Sequence, residues 1–135
     1  MDIEVFTLCD AAADYHGRLS ILGIFDSIMA ENIPAQHPHC AVALRLRFSK
    51  IEEGKHSLTV HLVDSDGKLI IPPLNGEIGI QLSGNDHEGA VNMVLNLQGL
   101  SFANYGEYAI NLAVDSRQLG SLPFWVKQQP PKANG

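Results

Sequence analysis

The stretch that decides the fold is Met93-Val94-Leu95-Asn96-Leu97-Gln98-Gly99-Leu100, running on into Asn104-Tyr105-Gly106-Glu107-Tyr108-Ala109-Ile110. Val91, Met93, Leu95 and Leu97 recur at every second residue, and so do Tyr108, Ile110, Leu112 and Val114 after the glycine-rich break. A period of two places one row of side chains in a core and the other outside, the mark of a half-buried strand. The same period extends outward in both directions. Val42, Leu44, Leu46 and Phe48 alternate with Arg45 and Arg47; Leu58, Val60 and Leu62 alternate with Thr59 and His61. Ile78, Ile80 and Leu82 form a further row, as do Leu122, Phe124 and Val126. Ile3 to Leu8 and Leu19 to Ile28 alternate less cleanly, which suggests burial on both faces or a bulge near Gly23. The pattern predicts an all-β chain of about eight strands without a long helix.

Turn chemistry separates these runs. Tyr15-His16-Gly17, Glu53-Gly54 and Asp66-Gly67 supply residues that tolerate positive φ, and Pro72-Pro73 cannot donate ladder hydrogen bonds, so it marks a crossover. A chain of 135 residues suits one domain. That domain is expected over residues 1–127, with a disordered polar tail over 128–135, where the apolar period ends. The formal charge of −6 lacks the basic footprint that phosphate binding requires, so no nucleic-acid partner is expected. No apolar run approaches the roughly 20 residues needed to cross a bilayer, and no membrane partner is expected. The acidic start and only two cysteines, Cys9 and Cys40, point to a cytoplasmic protein without a disulfide framework.

The passage into Tyr108 resembles the E-to-F corner of immunoglobulin-like domains, in which a tyrosine stands two residues before a core cysteine. Tyr108 takes the tyrosine's place after Gly106, and Ile110 stands where the cysteine would be. The resemblance implies an immunoglobulin-like two-sheet antiparallel β-sandwich lacking the inter-sheet disulfide. Over nearly the whole chain, the sequence is similar to a family of short bacterial proteins of unknown function. The residues that carry this are Val5-Phe6-Thr7-Leu8-Cys9-Asp10, Leu22-Gly23-Ile24-Phe25-Asp26, His37-Pro38, Ile51-Glu52-Glu53-Gly54-Lys55-His56, Ile71-Pro72-Pro73-Leu74 and Tyr105-Gly106-Glu107-Tyr108. That resemblance supports the fold and transfers no catalytic residue.

With strands lettered A (3–8), B (19–28), C (41–49), C′ (57–64), D (76–82), E (91–98), F (107–114) and G (122–127), the loops sort into two ends. One end is expected to gather His37, His39 and Cys40 with Asp86, His87, Glu88, Asp115 and Arg117. His37-Pro38-His39, with Asp86 and His87, is the one candidate metal set, set against ordinary solvated histidines. The other end collects Cys9, Asp10, Asp14 and His16. A catalytic thiol needs a base within hydrogen-bond reach, and Cys9 reads better as a small buried hydrophobe. Cys9 and Cys40 fall at opposite ends in this lettering, so no disulfide between them is expected. Asp64-Ser65-Asp66-Gly67 lacks the later oxygen ligands of a calcium loop and reads as a turn. No catalytic residue, cofactor or resident metal is assigned.

The outer face of a C′–C–F–G sheet would carry Thr59, His61, Arg45, Arg47, Glu107, Asn111, Trp125 and Lys127, flattened by alanines at 43, 109 and 113. Trp125, the only tryptophan, then points away from the core beside Arg45 and Arg47, with Lys127 near it. Trp and Arg are enriched at binding hot spots. The functional expectation is a non-catalytic protein-binding or structural module, hetero- or homo-oligomeric. The alternative is a metal-binding protein or metal-dependent enzyme built on His37 and His39 with residues of the D–E loop.

Overall fold

The computed structural model describes residues 1–130 as nine strands and one turn of 3-10 helix. The strands are β1 (Asp2–Tyr15), β2 (Arg18–Ile24), β3 (Ser27–Ala30), β4 (Ala35–Ser49), β5 (Gly54–Asp64), β6 (Leu74–Ile80), β7 (Glu88–Phe102), β8 (Gly106–Val114) and β9 (Arg117–Gln128); the 3-10 turn is Lys50–Glu52. They form a four-stranded sheet, β2-β1-β4-β7, and a five-stranded sheet, β3-β9-β8-β5-β6. The described chain is thus all-β, as the alternation requires.

One apolar core lies between the sheets. β4 contributes Val42, Leu44 and Leu46, facing Leu58, Val60 and Leu62 of β5, Ile110 and Leu112 of β8, and Phe124 and Val126 of β9. Each such side chain removed from water contributes roughly 1.5–3 kcal/mol against the entropy of ordering the chain. At one end Phe102, Tyr108 and Phe124 pack as a trio. Phe102 meets the other two rings edge-on at 5.0 and 5.8 Å, and Tyr108 stacks on Phe124 at 5.5 Å. The Tyr108 hydroxyl donates to the Asn104 carbonyl at 2.6 Å, so the ring is buried while its polar tip is satisfied at the strand entrance. Gly106 (φ +134°) opens β8 with a backbone angle that a side chain rarely adopts.

β1 serves two neighbours. Residues 2–9 pair with β4, and residues 9–15 pair with β2, forming a hairpin that folds over the outer face of the first sheet. Ala12, Leu19 and Ile21 of that hairpin close a second small cluster over Cys9, Ala41, Ala43 and Val94. The Asn92 side-chain amide fastens its tip, donating to the Gly17 carbonyl at 3.1 Å and to Asp14 Oδ1 at 3.4 Å.

Several expectations are corrected here. The run 19–28 is two strands in different sheets, β2 and β3, divided after Gly23, whose φ of +70° bends the backbone. That extra hairpin strand displaces the lettering. The strand at 41–49 therefore pairs with β1 and β7, not with β5 and β8. Pro72-Pro73 lies between strands, but β5 and β6 pair within one sheet, so it marks no change of sheet. The tail does not begin at 128: Gln128 closes β9, and the Gln129 amide donates to Ala30 O at 2.8 Å. The remainder of the expected tail, 131–135, lies outside the described residues.

Candidate functional site

The densest polar constellation sits where β4 turns into β5 and β8 into β9. Ser49-Lys50-Ile51-Glu52 has the spacing of a capping box, in which a glutamate reaches back to the residue before a helical turn. Glu52 Oε1 accepts from the Ser49 amide (3.0 Å) and hydroxyl (3.2 Å), while Oε2 meets the Met1 amino group at 2.8 Å. The amino group, and then the Ser49 amide, hold the Glu52 carboxyl below its ordinary value. Opposite, the two-residue turn Asp115-Ser116 has both residues at positive φ (51° and 67°), the geometry of a tight hairpin. Asp115 Oδ1 there accepts from the Ser57 amide at 3.0 Å.

His56 joins the two turns. Its Nδ1 lies 2.6 Å from Asp115 Oδ2, and its Nε2 lies 2.5 Å from the Glu52 carbonyl. Both partners accept hydrogen bonds, an arrangement that favours the doubly protonated ring. The Asp115 bond first, and the Glu52 carbonyl second, raise the His56 pKa; the same His56 bond lowers that of Asp115. These groups border an open cleft of about 580 Å³ that Val114, Arg117 and Leu119 also line. With both ring nitrogens engaged, His56 ties the two turns together. The sequence carried signals for it, Ser49-x-x-Glu52 and Asp115-Ser116, but sequence reading placed His56 only within a family-like stretch.

The second feature is apolar. The hairpin's outer side exposes Tyr15, Leu22 and Ile24 at 69%, 71% and 67% of their surface, with exposed Ala11 and Ala13 beside them. Ala11 pairs with Leu22, and Tyr15 with Arg18, so Ala11, Tyr15 and Leu22 share one side of the ribbon, while Ile24 lies at its base opposite the buried Cys9.

The residues singled out from sequence are scattered. His37 and His39 lie inside β4, opposite Leu100 and Gln98, with the His37 ring 5.5 Å from that of Phe25. Asp86 and His87 lie before β7, whose first residue, Glu88, pairs with Ser49 at the far end of β4. At about 3.4 Å per residue the two sets are on the order of 30–40 Å apart, so the expected gathering at one end does not occur. Among the described residues no three His, Cys, Asp or Glu side chains converge as a ligand set. Asp115 and Arg117 share the cleft with Glu52 and His56 instead.

Arg45 and Arg47 project from the first sheet, where both pair with Glu4; Arg47 also reaches Glu88 at 3.3 Å. Trp125 belongs to the other sheet, in register with Glu107 and Ser27, half-buried, with Lys127 Nζ 6.0 Å from its ring. The expected Trp–Arg face is therefore divided between two sheets. The cysteines are corrected too. Cys9 pairs with Ala41, one step from Cys40, so the thiols sit on adjacent strands rather than at opposite ends. They face opposite sides of the sheet and both are free. Burial raises both thiol pKa values, Cys40 to about 11. The Cys9 thiol donates to Ala41 O at 3.4 Å. Asp64 Oδ1 accepts from the Asp66 and Lys68 amides at 2.9 Å each, which makes 64–68 the expected turn. No helix among the described residues is long and apolar enough to cross a membrane.

No curated protein matches the sequence. Among solved structures, the chain is similar to an alkylpurine DNA glycosylase of Pseudomonas fluorescens, AlkC, bound to DNA containing an abasic site analogue, with a TM-score of 0.53 and 10% identity. The alignment covers 93% of this chain but only 30% of the glycosylase, and it speaks for the fold alone. Residues 4–127 match a family of unknown function, DUF6941, and the protein belongs to that family.

Proposed function

We propose that the protein is a non-catalytic binding module with immunoglobulin-like strand order, and that it holds a protein partner on the outer ribbon of its β1–β2 hairpin. The observation that carries this is the exposure of Tyr15, Leu22 and Ile24 on one hairpin. Exposed apolar side chains clustered in this way mark interaction sites, whereas isolated ones do not. Taking β1, β4 and β7 as strands A, B and E, and β9, β8, β5 and β6 as G, F, C and C′, the neighbour order A-B-E and G-F-C-C′ supports this reading, with β2 and β3 as additions. The Tyr108 corner supports the same reading.

The metal-dependent alternative loses its support, because His37 and His39 stand far along β4 from Asp86 and His87. The DNA in the similar glycosylase does not transfer to this chain. The protein is acidic, and Arg45 and Arg47 are already engaged by Glu4. The test is affinity capture from the native cell with wild type and with a Leu22→Ser/Ile24→Ser variant, followed by calorimetry on any recovered protein after purification. A partner bound by wild type and weakened at least about ten-fold by the variant supports the reading. If wild type retains nothing that the variant loses, the reading fails.

A further inference from the structure

Four strands lie at sheet edges, and natural edges are blunted by short length, charge, proline or a bulge. β3 has four residues. β6 has seven, including Glu77, Gly76 and Gly79. β2 has seven, with Arg18 and the φ +70° bend at Gly23. β7 is the exception. It is 15 residues long and pairs only with β4. From Gly89 to Gln98 it contains no charge and no proline, in a chain of net charge −6, and its one left-handed residue, Gly99, lies beyond.

The edge is also incompletely covered. β7's inward row, Val91, Met93 and Leu95, is half-buried, although its partners on β4, Leu46, Leu44 and Val42, are each only 1% exposed. The sequence here reads alike in both directions about Val94: Val91-Asn92-Met93-Val94-Leu95-Asn96-Leu97. A two-fold axis through Val94 would set Met93 against Leu95 of the second copy, Val91 against Leu97, and Asn92 against Asn96. Apolar residues would then meet on the inward face, while on the outward face Asn96 would stand beside Asn92, whose amide already holds the hairpin's tip. Such self-complementarity is what an isologous contact demands, and a charge-free strand is where two acidic chains can approach.

We propose that β7 is a homodimerisation edge, pairing antiparallel with β7 of a second copy to make a continuous eight-stranded sheet. This rests on the reading of the protein as a binding module and names one of its partners. One strand pair is a small interface, below about 1,200 Å², so dissociation on dilution is expected.

Sedimentation velocity from about 1 µM to about 1 mM spans the range in which such contacts dissociate. It should show a shift from the 14.7 kDa chain to twice that mass. Asn96→Lys/Gln98→Lys, at two exposed positions, should raise the dissociation constant at least about ten-fold, because lysines on an edge strand oppose its pairing with a second chain. The same charges at exposed Gln81 and Ser83 should not. Hydrogen exchange should show added protection at high concentration, relative to low, at those amides of residues 89–98 that do not bond to β4. A monomer throughout overturns the proposal while leaving the hairpin reading to its own test. A dimer that ignores the Asn96/Gln98 pair, or whose added protection lies outside β7, overturns it equally.

Discussion

Replacing Tyr108 by Phe keeps a ring against Phe102 and Phe124 and deletes one bond, the 2.6 Å donation to Asn104 O. Tyr108 is 5% exposed, so its hydroxyl gains little from water, whereas Asn104 is exposed and its carbonyl can resolvate. No acceptor is stranded, and the cost is that of an ordinary net hydrogen bond, about 1 kcal/mol. Unfolding entropy near 2.1 cal/mol/K per residue then gives a fall in Tm of about 3–4 °C for this chain. With a urea m-value of about 2 kcal/mol/M, the midpoint falls by about 0.5 M. Fluorescence of the single Trp125 follows the transition. Tyr108→Ala should cost about 3–5 kcal/mol, because it also opens a cavity. Tyr105→Phe should cost less than Tyr108→Phe, since Tyr105 is half-buried and its bond to Ala30 O is 3.2 Å. A Tyr108→Phe midpoint indistinguishable from wild type would refute the corner's role and leave aromatic packing alone to fix the entrance to β8.

Other expectations follow from the cleft, the thiols and the hairpin. The raised His56 pKa contributes stability that is fully present below 6.5 and is lost as pH rises through the folded value; the lowered Asp115 pKa contributes stability present above 3.8 and lost as pH falls through its folded value. The Tm difference between wild type and His56→Gln should therefore be largest between pH 3.8 and 6.5 and shrink at higher pH, and a flat difference would contradict the imidazolium clasp. Both thiols should be silent to a disulfide reagent in the native protein at neutral pH and react together on unfolding, because both are fully buried. Gly23→Ala should cost about 1–2 kcal/mol by chemical denaturation, since a side chain at φ +70° is strained and its Cβ would meet the Asp10 carboxylate.

Alternation reports which face of a strand is buried, and for β4, β5, β8 and β9 the inward rows are those read from sequence. It does not report which strand lies alongside. Every antiparallel neighbour satisfies the same period, so one unrecognised strand shifts the assignment of every later neighbour. That extra strand was β2, hidden because Ile21-Leu22-Gly23-Ile24 passes into Ser27-Ile28 with no proline and only Asp26 as a polar break. The positive φ at Gly23 and the bend at Asp26 divide them. The Trp125–Arg47 face depended on a pairing between neighbours, and it failed with that pairing. Tyr108 depended on local chemistry, a ring and hydroxyl at a strand entrance, and its hydroxyl bonds the backbone four residues upstream.

The hairpin's resting place was nonetheless written in β4. Its outward row reads Ala41, Ala43, Arg45, Arg47: two small apolar residues and then two arginines. A strand facing water on that side would have no reason to change character halfway. The change marks where cover ends, because Ala41 and Ala43 are 0% exposed beneath Ala12, Leu19 and Ile21, while the hairpin's tip at Gly17 stops at Asn92, which pairs with Arg45. Alanine is what a strand carries when another backbone must approach closely, and arginine is what it carries once that approach is over. The hairpin therefore meets the sheet with its inner side and leaves Tyr15, Leu22 and Ile24 outside, where the proposed partner would meet them.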